Sequence, residues 1–504
     1  MQIEPSADDF ARRYTRGEPQ VVWTTLVADL ETPVSAFLKV AAGQPMSFLL
    51  ESVEGGAVRG RYSVLGLKPD VIWRAQGLKA EINRDADTRS NKYQSCGAPP
   101  LEALRALIAE SRIDLPENLP PMAAGVFGYL GYDVVRLMED LPAPNPDPIR
   151  IPDAIMIRPT IVVVFDSVKD TITVITPVRP QLRVPATMAF RKARARLSGV
   201  IAALDRPLDK STIADPGPLI ATPDSNTTDA EYRAMVLKAK EYILAGDIFQ
   251  VVLSQRFEAP FKLPPFSLYR ALRRVNPSPY LYFLDYGDFA VTGSSPEILV
   301  KVKSGTVTIR PIAGTRPRGT TPHEDKTLEE ELLADPKERA EHLMLLDLGR
   351  NDVGRVSKIG TVSVTDQFFV ERYSHVMHIV SNVEGQLARD RDALDAMVAG
   401  FPAGTVSGAP KVRAMQIIDE LEKEKRGLYA GCVGYFSAAG EMDSCIVLRT
   451  ALIKDGRMYV QAGAGIVADS NPVSEQTECV NKAMALFRAA EEARRFASIA
   501  KRRR

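Results

Sequence analysis

The stretch from Asp205 to Thr228 limits most firmly what this chain can fold into. It lacks apolar periodicity, is rich in Pro, Asp, Ser and Thr, and carries Pro216, Pro218 and Pro223. Such a segment has no face to bury and reads as a linker. Directly after it, Thr228 and Glu231 stand at capping-box spacing, and Tyr232, Val236, Ala239 and Ile243 form a helical stripe, so a new folding unit starts there. At 504 residues the chain exceeds one ordinary compact domain. The expectation is two domains or one two-lobed unit: a first region over 20–204, the linker over 205–228, a second region over 229–494, and a solvated basic tail over 495–504 ending in Lys501-Arg502-Arg503-Arg504.

Composition narrows the class. Hydrophobic residues make up 45% and charged residues 25%, as in a globular protein with ample core, and a net charge of +1 points to neither nucleic acid nor an anionic membrane. No apolar run reaches membrane-spanning length, and Asp8, Asp9, Arg12 and Arg13 exclude a secretory signal, so a cytoplasmic protein is expected. Cys96, Cys432, Cys445 and Cys479 never form Cys-x-x-Cys and read as reduced structural thiols. Two of the four histidines, His375 and His378, fall close together, but no His-Glu-x-x-His is present to suggest zinc.

Strands are expected at 21–24, 47–50, 62–65, 71–73 and 171–176, and helices at 33–42, 101–111 and 185–204. The last of these has Phe190, Ala193, Leu197, Val200 and Leu204 on one face. Gly125 to Asp133 is punctuated by glycine and reads as a packed sheet edge. This mixture of short strands and helices indicates an α+β fold.

Chemistry concentrates in the second region. Leu345 and Leu348 lie at helical spacing before Gly349, which stands where a C-terminal glycine would stop the helix, and Glu338 and Glu341 continue the same face. Carboxylates extending an apolar stripe either reach solvent or need a cation or a proton. A loop in front of them, Pro311 to Gly319, brings glycines, Thr315, Arg316 and Arg318 as donors for an anion. Gln250 interrupts an apolar strand and either satisfies a backbone edge or faces a polar cavity. Glu297 ends a turn that leads into the strand 298–303, and Gly404 to Lys411 leads into a helix whose amides could meet an anion. Gly463, Ala464 and Gly465 end a strand with small residues. On the helix that follows, Glu475, Glu478 and Lys482 share one side, and a Glu478–Lys482 surface pair is the plain reading. Arg449 sits in the apolar strand 444–453 and meets a carboxylate either of the protein or of a substrate.

As a set, Gly246–Arg256, Pro311–Gly319, Ala340–Val353, Arg372–Ser381, Gly404–Lys411, Tyr429–Arg449 and Ala462–Glu478 resemble the chorismate-utilising enzymes, and among them the large subunits of anthranilate synthases. Earlier in the chain, Leu49-Leu50-Glu51-Ser52 and Gly125 to Asp133 are similar to that family's N-terminal region. The resemblance implies two large, mostly antiparallel sheets packed as a sandwich with helices outside. It implies Mg²⁺ held by Glu341 and Glu478, with Glu338 and Glu475 in support. Chorismate would be held by Arg449, Tyr429, Lys482, Gln250, Gly314, Thr315, Thr405 and the amides of Gly463, Ala464 and Gly465. Glu297 matches the general acid, and His378 the residue linked to pyruvate elimination. His375 falls at a structural position.

Isochorismate- and salicylate-forming relatives carry lysine where Gln250 stands, and aminodeoxychorismate synthases often carry lysine where Ala313 stands. Direct amination to anthranilate is therefore implied, with an aminodeoxychorismate synthase or a silent tryptophan-binding paralogue as the alternatives. Ammonia would come from a separate glutamine amidotransferase subunit. Leu50, Glu51, Ser52, Arg61, Tyr62, Asn276, Pro279, Tyr280, Leu281, Gly434 and Cys445 resemble a pocket in which tryptophan inhibits.

Overall fold

Two long strands organise the architecture. Val58–Gln76 and Ala154–Asp166 pair antiparallel, and their register slips between Pro69 and Val71, just after Lys68 adopts a φ of 50°. On either side of that slip the strands take different neighbours. The first half of Val58–Gln76 pairs with Ser47–Glu54 and its second half with Lys79–Asn83. Ala154–Asp166 pairs through its end with Thr171–Val178 and through its start with Gly125–Leu130. A register slip bends a strand pair and raises its twist. Here it lets one pair belong to two sheets.

The structure is a computed structural model, and it describes residues 2–41, 43–54, 58–88, 91–208, 222–373 and 376–502. From the shared pair, the first sheet runs out through Ser47–Glu54, Tyr280–Asp285, Phe289–Ser295, Thr450–Lys454, Arg457–Ile466 and Gln250–Pro260. The second runs through Gly125–Leu130, Cys432–Ser437, Met442–Ile446, Ile298–Lys303, Thr306–Ile309 and Val376–Gln386. That last strand also pairs with Ile312–Pro317 and Ser363–Arg372. Every ladder among the described residues is antiparallel. The inner faces meet through Phe48 stacked on Phe127 at 4.6 Å and Tyr129 edge-on to Tyr286 at 5.5 Å, geometries that add to plain area burial. Helices Ala7–Thr15, Pro33–Val40, Ala186–Leu204 and Pro265–Val275 cover the outside of the first sheet through Phe10, Phe37, Leu197 and Tyr269. The α+β sandwich expected from the sequence is what the chain forms.

The linker divides the sequence and not the space. Ser47–Glu54 pairs with Tyr280–Asp285, and Gly125–Leu130 with Cys432–Ser437, so the two regions share both sheets. Thr228 does cap its helix with Glu231, while 209–221, with Pro216 and Pro218, lie outside the described residues, as does His375.

Five local readings are corrected. Gly125–Leu130 is a central strand, paired on both sides, and Gly128 is needed because a Cβ there would overlap the Ile155 carbonyl. Gly349 lies inside the helix Pro336–Gly354, where packing near Ile309 overrides its stop signal. The expected donor loop is the strand Ile312–Pro317. Arg449 lies between two strands and not within one. The expected tail is helical to Arg502, with Phe496 against the core and Arg274 4.5 Å over its ring. Among the described residues, no helix is long and apolar enough to cross a membrane.

The chain passes from the first sheet to the second at Pro296-Glu297, and returns at Val447-Leu448-Arg449. The two crossovers are stitched together by Ser294 N–H to the Arg449 carbonyl at 3.1 Å and Ile446 N–H to the Glu297 carbonyl at 3.0 Å.

Candidate active site

Glu297 is 6% exposed, because its crossover is closed over by both sheets. Thr405, in the short helical turn Gly404–Val406, donates its hydroxyl to Glu297 Oε1 at 3.1 Å. Burial pushes the Glu297 carboxyl up to about 8, against the hydrogen bonds from Thr405 and the Ile312 amide, which favour the charged form. A carboxyl in that range holds a proton at neutral pH and can give it up during a reaction.

His378 is positioned by a bulge. The pairing of Ile312–Pro317 with Val376–Gln386 skips Gly314, whose φ is 74°, so that Thr315 faces His378. The Gly314 carbonyl accepts from His378 Nδ1 at 3.0 Å, and Thr315 Oγ1 lies 3.1 Å from the same nitrogen. A carbonyl only accepts, so the proton sits on Nδ1 and Nε2 keeps its lone pair. Tyr373 packs edge-on to the ring at 5.5 Å. Burial, helped by the cations of Arg449 and Lys482, holds the imidazole down at about 4. It is a neutral base at physiological pH.

Arg449 is half-buried and, among the described residues, no carboxylate pairs with it. Burial lowers its pKa. It lines a cavity of about 840 Å³ with Tyr373, Asn276, Glu478 and Lys482. Of the two carboxylates the sequence allowed for Arg449, the protein's own is not found among the described residues. The cavity thus carries two cations, Arg449 and Lys482, and the Tyr373 ring that packs on His378 forms part of its wall.

Of the small residues Gly463, Ala464 and Gly465, the two glycines are dictated by what faces them. A Cβ on Gly463 would stand 2.6 Å from the Leu253 carbonyl and 2.9 Å from the Tyr429 hydroxyl, and one on Gly465 would stand 2.6 Å from Gln250 Nε2. Lys482 donates to the Gly463 carbonyl at 3.0 Å. Gln250 is 3% exposed, gives its Nε2 to Glu341 at 3.2 Å, and leaves its Oε1 buried with no protein partner. It faces the site rather than a backbone edge. Replacing Gly465 by alanine is expected to push Gln250 off Glu341 and destabilise the fold by about 1–3 kcal/mol, as overpacking does. Urea unfolding would measure the loss.

Two helices bring carboxylates into one neighbourhood, Glu338 and Glu341 on Pro336–Gly354 and Glu475 and Glu478 on Pro472–Arg502, close enough that Glu478 is felt at Glu341. Burial, followed by the negative charges of Glu338 and Glu478, raises the Glu341 carboxyl. Burial and Glu478 likewise raise Glu475, against a hydrogen bond from Ser470. Among the described residues no group of three or more His, Cys, Asp or Glu is set closely enough to hold a metal. Glu478 is exposed and paired with Lys482 at 2.7 Å, and Glu338 is held by Arg316 at 2.9 Å. The donors are all oxygen, the kind a hard divalent cation takes, and a bound cation would offset the burial that raises Glu341 and Glu475.

The residues expected to hold an effector gather in a second cavity of about 1300 Å³, lined by Leu50, Glu51, Ser52, Arg61, Tyr62, Pro279, Tyr280, Leu281, Gly434 and Cys445. Asn276 falls on the wall of the first cavity instead. The Glu51 carboxylate is occupied, held by Arg273 at 2.8 Å and by the Tyr269 hydroxyl at 2.7 Å. Tyr373 lines both cavities. Sequence reasoning missed it because an aromatic beside a histidine carries no signal until the bulge brings the two together. It missed Arg316 as the partner of Glu338 for the same reason.

The model of the family described as chorismate binding enzyme matches residues 63–488. Anthranilate synthase component 1 of Cereibacter sphaeroides is 57% identical over 496 residues, covering 98% of this chain and 98% of its own length. The protein of the same name from Pseudomonas putida is 50% identical over 470 residues, covering 92% and 93%. The crystal structure of anthranilate synthase component I from Streptococcus pneumoniae TIGR4 superposes with a TM-score of 0.77 at 39% identity, covering 92% of this chain and 99% of that one. Most of its length, including Glu297, Glu341, His378, Arg449 and Glu478, lies within the matched region, and the chain belongs to the chorismate binding enzyme family, among the anthranilate synthase component 1 proteins.

Proposed function

We propose that this chain is the catalytic subunit of an anthranilate synthase, converting chorismate and ammonia to anthranilate and pyruvate in the cytoplasm. The observation that carries the reading is that one strand, Ile312–Pro317, touches both a proton-bearing buried carboxyl, Glu297, through the Ile312 amide and a neutral base, His378, through the Gly314 carbonyl, with the Arg449 cation felt at that base and no carboxylate on Arg449 among the described residues. In this reading Arg449, Tyr429 and the amides of Gly463 to Gly465 hold the enolpyruvyl carboxylate. Glu297 gives its proton to the C4 hydroxyl, which leaves as water while ammonia adds at C2 and the ring double bonds shift. Gln250, an amide rather than an amine, leaves the nucleophile unprotonated by the site. The ammonium group formed at C2 returns a proton to the Glu297 carboxylate; His378 Nε2 then takes the C2 proton, the C3–oxygen bond breaks, and the departing enolpyruvate takes up a proton to become pyruvate as the ring becomes aromatic.

Glu341 and Glu478, supported by Glu338 and Glu475, would hold Mg²⁺, which when bound supplies charge neutralisation for the ring carboxylate. Ammonia comes from a separate glutamine amidotransferase subunit, in keeping with the name component 1 carried by the relatives. Tryptophan occupies the second cavity and inhibits from there.

The test is purified chain with chorismate, ammonium at alkaline pH and Mg²⁺, with and without tryptophan, followed by anthranilate fluorescence and product mass. Glu341→Gln is expected to lower turnover at fixed Mg²⁺ by about 10–100-fold and to shift the Mg²⁺ titration to higher concentration. Unchanged turnover and titration would remove the metal assignment. A product that retains the enolpyruvyl group would mark an aminodeoxychorismate synthase instead.

A further inference from the structure

A buried ion pair that the scheme above does not use lies behind the site. Arg426 and Glu422 are four residues apart, with side chains 1% and 4% exposed. Arg426 Nε donates to Glu422 Oε2 at 2.9 Å and Nη2 to Oε1 at 2.6 Å. The same guanidinium donates to the Val406 carbonyl at 2.7 Å and the Val252 carbonyl at 2.6 Å, while Glu422 Oε1 also accepts from the Ser254 amide at 2.8 Å. Its face lies 5.4 Å over the Tyr429 ring.

Each contact ends one step from the chemistry. Val406 follows Thr405, whose hydroxyl is on Glu297. Val252 and Ser254 pair with Gly465 and Gly463, and the Tyr429 hydroxyl sits against Gly463. Three walls of the site from distant parts of the chain therefore meet at one planar cation. Stability alone explains such a pair poorly, because a well-packed apolar replacement is often as stable as a buried ion pair. The fork of donors is what a lysine cannot reproduce.

We propose that Arg426, seated on Glu422, is a positioning residue that holds the Thr405 turn, the Gly463–Gly465 strand and Tyr429 in register for proton transfer from Glu297. The inference rests on the assignment of Glu297 as proton donor.

Arg426→Lys, Arg426→Ala, Glu422→Gln and Glu297→Gln, assayed side by side in the full chain with chorismate and ammonium, test it. Arg426→Lys is expected to lower kcat by about 100-fold, the size of effect a displacement of about 1 Å produces, with KM for chorismate changed less than about threefold. Millimolar guanidinium, and not urea of the same shape, is expected to restore turnover to Arg426→Ala. Thermal unfolding and circular dichroism report the folded fraction, so a loss that only tracks unfolding would overturn the proposal, as would guanidinium giving no more rescue than urea. If Arg426→Ala does not fold, Arg426→Lys and Glu422→Gln decide: wild-type kcat in both overturns the positioning role. Wild-type kcat in Glu297→Gln would instead overturn the proton-donor assignment beneath it.

Discussion

Glu297→Gln is expected to lower kcat for chorismate with ammonium by about 10²–10⁴-fold, the contribution of a positioned proton donor, with chorismate affinity nearly unchanged. Glutamine keeps the size of the side chain and can still accept from Thr405, but it has no proton to give. The parent's kcat, measured at saturating ammonia, should fall as pH rises through about 8, where the buried carboxyl ionises, and the variant should lack that limb. The substitution should raise stability even as it lowers activity. Burial raises the carboxyl from 4.5 to about 8 on folding, so between those values the folded chain holds a proton that the unfolded chain releases. The contribution is complete below the lower value and is lost as pH rises through the upper one. Glu297→Gln should therefore be more stable than the parent at pH 8, by on the order of 3 kcal/mol. Parallel kinetics and denaturant unfolding at pH 6 and pH 8 would show it, and full activity in the variant would refute the role.

Arg449→Met should weaken chorismate binding by about 2–5 kcal/mol, the usual cost of removing one partner of a buried charge pair. The free protein should not suffer in the same way. With no carboxylate on Arg449 among the described residues, its removal leaves no orphaned anion and relieves a burial that already lowers its pKa. Stability should hold or rise while affinity collapses. Calorimetric titration with chorismate and Mg²⁺, without ammonium, separates the two quantities. Unchanged affinity would mean that the anion is held elsewhere, by Lys482 or the backbone of Gly463 to Gly465.

Features carried by neighbouring residues could be read directly from the chain. The Thr228–Glu231 cap, the Leu197 face of Ala186–Leu204 and the antiparallel sandwich all follow from spacing, composition and family pattern, and all are present. Glu341 and Arg449 stood out locally, as a carboxylate on an apolar stripe and an arginine in an apolar run, while Glu297 and His378 were pointed to by the family resemblance. Their states could not be read that way. Gly349 has the local mark of a helix end, yet packing near Ile309 carries the helix through it. Arg449 sits in an apolar run that looks like one strand, yet the chain breaks there to change sheets. Arg426 lies in a run of Glu, Lys and Arg with every outward sign of a solvated loop, and it is among the most deeply buried charges in the chain.

Local sequence reports what a residue prefers in its own neighbourhood. Whether Glu297 keeps its proton, which nitrogen of His378 carries one, and whether Arg449 meets a protein carboxylate depend on burial and on partners from far along the chain. Desolvation and charge pairing act through space, and they take their values only once the two crossovers and the Gly314 bulge have closed around them.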